Sequence, residues 1–415
     1  MSSNPQSTSV PALDLSKWRN LPVILIVVGV IVGGAGLLIG GGGLRQFGFS
    51  WLLAFMFCLS LCLGGWFLVM VHHLFDASWS VATRRMCEHL ACLLCPTMLV
   101  LFVPIVLTAK LIYPWMSDLD HPDHALKAKY PLFTMPGYYV LAIALFAIWW
   151  IYSNRLRYWS LRQDETGSAD CTYRMRFYAA SGVVLFAVTV TLAAIVWMKG
   201  LMDEWYSTMY GVWYFASSVW VTLPTLYVIT LIMQRTGPLR KLVTENTYYM
   251  IGSLFLAFTV FWAYISFAQY FIVWNANMPE ETFWYLKREK GTWDIVGKFV
   301  IIFGHFFVPF LMLLRIDFKL KLKTMLPLVA WAWLMHFVDL EFQIMPALHD
   351  ASILTSGLVV DIAFVLLFAG VLMKVFIISV SRYPVYPLKD PRLAEALGVY
   401  VPPTSDVSIA PHRAK

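Results

Sequence analysis

Long apolar runs separated by short polar breaks recur along nearly the whole chain, and the spacing predicts ten helices, at about 21–42, 50–74, 90–113, 137–154, 177–198, 209–233, 249–274, 295–315, 325–346 and 355–379. A helix rising 1.5 Å per residue needs about 20 apolar residues to cross a hydrocarbon layer of ~30 Å, and each run is close to that length. Lipid offers no partner for an unpaired backbone group, and the runs are too long and uninterrupted for barrel strands, so every span is expected to be a helix. No strong internal repeat is visible. Ten helices with mostly short connections predict an all-α integral membrane fold packed as one or two antiparallel bundles.

Composition supports this pattern: of 415 residues, 60% are hydrophobic and 13% charged, and the mean hydropathy is +0.68. Soluble domains do not have such a balance. Most of the 31 Lys and Arg residues fall on one side of the expected spans, in the segments holding Lys17, Arg84, Arg155, Arg235, Lys319 and Arg382. The positive-inside rule then places both termini in the cytoplasm, as an even number of spans requires. The net charge of +7 follows from this bias and gives no reason to invoke nucleic acid. Residues 1–20 form an expected cytoplasmic tail without a cleavable signal pattern, 21–379 the membrane domain, and 380–415 a proline-rich cytoplasmic tail that hugs the surface.

Glycines crowd the first span, and Gly29 with Gly33, and Gly36 with Gly40, have the small-xxx-small spacing that lets another helix approach closely. Cys92 and Cys95 form a CxxC, but Pro96 follows where a c-type haem attachment needs His. With Cys58 and Cys62 they could form a cluster site, weighed against small buried packing residues, which are the expectation, so no metal or covalent haem is assigned to this chain.

Ionisable residues inside spans are costly and mark candidate function. At the cytoplasmic ends of spans two and three, His72 with Asp76, Arg84 with Glu88, and Arg85 with His89 are spaced i,i+4, and His73 adjoins them. They form either an ion-paired elbow between two helices or a proton inlet. In span nine His336 and Asp339 share a face, able to relay protons, to hold a quinol hydroxyl or to make an interhelical contact, while Glu341 points elsewhere, toward the interface. His305 in span eight raises a bis-His haem with His336, weighed against a hydrogen-bonded core residue. Asp361 and Lys374 in span ten are about 20 Å apart along the helix and need partners from other helices. A proton path from His72, His73, Asp76, Glu88 and His89 toward His336, Asp339 and Asp361 is the expectation built from this placement.

Span seven ends in "FWAYISFAQYFIVWNANMPEETFWY", where Ser266 and Gln269 sit among aromatics and Asn275, Asn277, Glu280 and Glu281 form an expected outward turn that docks partners. This segment, with "HLFDASWSVATRR" and "HFVDLEFQIMP", resembles the second NrfD-like membrane subunit family (ActF) of bacterial alternative complex III. The resemblance covers nearly the whole chain. It implies two four-helix bundles with flanking helices in the bacterial inner membrane, within a quinol:acceptor oxidoreductase. It further implies partners: a multihaem c-type cytochrome, an iron-sulfur/molybdopterin-like subunit, a paralogous NrfD-like subunit and small membrane subunits. Haem c and iron-sulfur clusters reside in those partners; the resemblance implies that the paralogous subunit, rather than this one, holds the main quinol site, while quinol or menaquinol contact is possible in both NrfD-like chains, and this chain is not catalytic alone. A secondary transporter is the rival reading, weakened because the glycine-rich span has no matching partner in a second half. A haem-bearing cytochrome b-like subunit is the third.

Overall fold

A computed structural model describes residues 15–117, 124–237, 239–240 and 242–396. Among these, ten helices are long and apolar enough to cross a membrane: α1 Ser16–Gly40, α2 Gly43–Phe75, α3 Val81–Ile112, α4 Met135–Thr166, α5 Ala169–Met202, α6 Tyr210–Arg235, α7 Glu245–Ala276, α8 Gly291–Leu314, α9 Leu322–Ala347 and α10 Gly357–Arg382. No strand occurs among the described residues. The chain is a helical, multi-pass membrane protein.

The helices overrun several expected ends. In α4 the polar residues after Asn154 continue the helix to Thr166, where Gly167 takes the left-handed conformation and stops it (φ 67°). The start of α3 lies at Val81, because the charged stretch 81–92 is helical and its charges are buried inside the protein. Two breaks follow local chemistry. Cys95 leaves helical geometry ahead of Pro96, which has no N–H to give the helix ladder. Residues Val296–Phe307 of α8 wind as a π-helix, a form that tends to occur where a helix borders a functional site.

Burial ranks the helices in a way hydropathy does not. The most apolar window of α2 is 89% buried and that of α1 only 11%, although both are strongly hydrophobic. α2 runs through the middle, packed on α3, α5, α6, α9 and α10, while α1 lies outside against α10. Further contacts join α3 to α4, α4 to α5, α5 to α6, α6 to α7 and α9, α7 to α8, and α8 to α9. Glycine sets the α1 to α10 approach: a Cβ on Gly29 would lie 2.6 Å from the Ala363 carbonyl oxygen, whereas one on Gly34 would meet nothing.

Ten alternating helices put Ser16 and the segment 383–396 on one face, the terminal face, and the 276–291 and 347–357 connections on the other, the distal face. From Val385 to Ala396 the tail folds back along the terminal face, while residues 397–415 and 1–14 of the expected tails lie outside the described residues. All six cysteines are free thiols and four of them are buried.

Candidate functional site: a polar cavity near the distal face

Aromatic side chains of α7 and the short helix Pro279–Arg288 converge with α8 and α9 around a cavity of about 520 Å3. Most of its wall is apolar; its polar groups include Ser266 and Gln269 from α7, Asp339 and Gln343 from α9, and Arg288 with Tyr285 from the short helix, while Glu289, Asp294 and Lys298 add charges from the start of α8 and the connection before it. Phe267 and Ile302, which also line it, are exposed on the flank between α7 and α8, so the mouth faces the apolar surroundings of the helices. That combination suits a molecule with an aromatic head, a few oxygens and a hydrocarbon tail.

Asp339 is 1% exposed and accepts a hydrogen bond from the Trp262 indole Nε1 at 3.1 Å. His305 Nε2 lies 3.8 Å from the same carboxyl oxygen, too far for a hydrogen bond and close enough for a bridging hydroxyl. The His305 ring is stacked between Trp262 and Trp220, with centroids 3.7 and 3.8 Å away. Neither of its ring nitrogens has a hydrogen-bond partner, and the same holds for Ser266 Oγ and Gln343 Oε1. Buried polar atoms are rarely left so; Ser266 and Gln343 line the cavity and His305 stands beside its Asp339, which indicates a place that a polar ligand or water completes.

The short helix begins at Pro279, whose missing N–H is no loss in a first turn, and carries Glu280 and Glu281 where the helix dipole favours acids. It buries Trp284 stacked against Trp205, ring centroids 4.6 Å apart. Arg288 closes the helix with its guanidinium over the Trp284 ring and donates to the carbonyls of Phe342, Gln343 and Trp284 at 2.8 to 3.0 Å. Burial lowers its pKa to about 9, opposed by Tyr210 and Tyr285. It thereby pins the end of α9 that carries Gln343 to the cavity roof.

The expected outward turn is therefore corrected in part. Asn277 does end α7 in the left-handed conformation (φ 47°), and the exposed Asn275 amide caps the carbonyl of Phe271 at 2.8 Å. Glu280 and Glu281, however, lie in a helix rather than a turn. Ser266 and Gln269 line the cavity, and only Gln269 has a neighbouring partner, Ser207 at 3.2 Å.

His336 sits behind Asp339 but faces other helices, its ring nitrogens 2.9 Å from Ser60 Oγ of α2 and 3.1 Å from Ser217 Oγ of α6. With both nitrogens engaged and His305 held between indoles, the two histidines do not form an axial pair. Asp361 and Glu341 meet in a separate buried group with Gln46, Ser50 and His349. The expected interfacial position of Glu341 is thus corrected: it is 1% exposed and turned toward α2 and α10. Lys374 is exposed and belongs to neither group.

At the terminal face the charged elbow is a closed ion-pair network. Arg84 Nε meets Glu88 at 3.1 Å as its spacing predicted, and its Nη1 pairs with Asp390 of the returning tail. Arg85 pairs with Asp164 of α4 and lies 3.4 Å from Glu88. The other two expected pairs do not form. Asp76 ends α2 with φ 52°, which turns its carboxylate away from His72 and toward Arg176 and Arg392. His72 meets Ser80 instead at 2.7 Å, His89 meets Ser379 of α10 at 2.8 Å, and His73 Nε2 has no partner. Sequence spacing could not have found Asp164, Asp390 or Ser379, which arrive from distant helices and the tail.

No protein-family model matches this chain, and no curated protein matches it.

Proposed function

We propose that this chain is a membrane subunit of a quinol-oxidising respiratory complex and that the distal cavity holds the quinol ring. The observation that carries this reading is the buried Asp339 carboxyl at the end of an aromatic, membrane-facing cavity, beside an imidazole with unused nitrogens. Quinol oxidation releases two electrons and two protons. Asp339, fixed by Trp262, is positioned to accept a hydroxyl proton, and His305 is within reach of the same bridging oxygen. Electrons pass to an acceptor outside this chain, in the cluster and haem subunits that the NrfD-like resemblance implies.

The helix contacts support the expected two-bundle arrangement: α2 to α5 close one ring of four, α6 to α9 close another, and α1 and α10 flank them. On this reading the distal face is periplasmic, the terminal face cytoplasmic, and the short helix with Glu280 and Glu281 is the docking surface for peripheral subunits.

A short-tailed quinone titrated into the purified protein tests the cavity through tryptophan fluorescence, since Trp262 and Trp284 line it. Saturable quenching that Ser266→Phe abolishes by filling the cavity is the expected result. Quenching that never saturates, or that is unaltered in Ser266→Phe, sinks the proposal. Co-purification from the native membrane with multihaem c-type absorbance tests the complex, and a lone colourless protein argues for transport instead.

A further inference from the structure

A second buried polar group lies apart from the cavity, at the distal ends of α2, α9 and α10. Glu341 of α9 and Asp361 of α10 are 1% and 2% exposed, and their carboxyls adjoin each other. Two adjoining buried carboxyl groups with no cation beside them cannot both be ionised, and no lysine or arginine pairs with either among the described residues. The remaining Glu341 Oε1 is buried without a partner. Asp361 Oδ1 accepts from Gln46 Nε2 at 3.3 Å, and the same amide reaches Ser50 Oγ at 2.8 Å.

Toward the distal face the group ends at His349, which is half-buried and lies 2.8 Å from Gln46 Oε1. The charged neighbours there are Arg45 on α2 and the exposed Asp350, which pairs with Lys287. Gln46 stands between the imidazole and the carboxyl pair, and an amide does not pass a proton through itself. It is also clamped: a Cβ on Gly357 would lie 2.6 Å from its Nε2, and a Cβ on Gly42 would lie 2.6 Å from its own Cβ. An imidazole that faces water, a neutral blocking side chain and a proton-sharing pair therefore stand in line.

We propose that Glu341 and Asp361 hold one shared, exchangeable proton and that Gln46 gates its exchange with the distal aqueous face through His349. The proton leaves the pair when Gln46 swings aside and a water or His349 takes its place. This site does not depend on quinol binding in the cavity, because Asp339 faces α7 and α8 while Glu341 faces α2 and α10.

Infrared spectroscopy of the full-length protein tests it through the carbonyl stretch of a protonated carboxylic acid. The wild type minus Glu341→Gln spectrum, and the wild type minus Asp361→Asn spectrum, are expected to show the same lost acid band, while Asp339→Asn leaves that band in place. A full band in both amide variants overturns the shared proton. In deuterated buffer Gln46→Ala is expected to speed the isotope shift of this band severalfold and His349→Phe to slow it; unchanged rates in both overturn the gate. The Gln46 and His349 measurements keep the carboxyl pair intact, so they remain decisive where an amide variant fails to fold.

Discussion

The His305 imidazole lies face to face with the Trp262 indole, centroids 3.7 Å apart and planes inclined by 23°, with Trp220 on its other side. Stacking holds the ring, yet both nitrogens are buried without partners. His305→Phe keeps the stack and removes the orphaned atoms, so the variant should be as stable as the wild type or more so, by up to about 1–3 kcal/mol. If the cavity is the proposed quinol site, quinol turnover should fall. A thermal melt alongside an activity assay checks both; a large loss of stability would show that hidden water already satisfies the ring.

Asp339→Asn retains an acceptor for the Trp262 indole and keeps the shape of the cavity. It deletes the carboxylate proposed to accept the quinol proton, and on that proposal a loss of roughly 10²–10⁴ in turnover is expected. Short-tailed quinone should still bind. Steady-state rates and fluorescence titration of the same preparation separate the two, and an unaltered rate removes Asp339 from the reaction.

Gly29 and Gly34 lie on the same exposed helix but face different surroundings. Gly29→Val places atoms against the Ala363 carbonyl and Leu367 and should destabilise the α1 to α10 contact by about 1–3 kcal/mol. Gly34→Val meets nothing and should leave this chain's own stability unchanged. Detergent-induced unfolding of both variants provides the comparison.

At the terminal face, Asp390→Ala strips a buried partner from Arg84, whose side chain is 1% exposed. Leaving a buried charge unpaired typically costs about 3–5 kcal/mol, and the cost here should fall below that because Arg84 keeps Glu88 at 3.1 Å. Arg392→Ala should cost about 1 kcal/mol or less, because Asp76 is 45% exposed and keeps Arg176. Equal effects in a denaturation series would mean that the returning tail is held by something other than its charges.

His349 has its pKa lowered by burial and, secondarily, by Arg45. In the acid the unfolded chain then binds a proton that the folded chain resists. This group's contribution to stability is therefore undiminished above the ordinary imidazole value of about 6.5 and is lost as pH falls below it, until the folded pKa is reached. His349→Gln should flatten that portion of the stability profile, read from melting temperatures across the acid range. A slope identical to the wild type would place the acid sensitivity elsewhere.

Much of the membrane architecture is legible residue by residue. The runs that became α1 to α10 are apolar enough to identify singly, and Gly29 and the Arg84 and Glu88 pair behaved as their local chemistry predicts. Helical spacing failed where a terminus intervened: His72 and Asp76 have the right interval, but Asp76 leaves helical geometry at the end of α2. It also failed for Glu341, because an i,i+2 offset from Asp339 fixes the opposite direction without saying what stands there.

What the sequence determined by itself is the class of molecule and the number of helices, since hydrophobic transfer is local and adds up along each run. What only the tertiary structure decided is which polar side chains meet. Gln46 and Asp361 are 315 positions apart, and the cavity draws its polar groups from α6, α7, α8, α9 and the short helix between α7 and α8. A helix face specifies a direction, while a partner comes from whichever helix packs there, and that choice belongs to side-chain shape and close approach at positions such as Gly29 and Gly357.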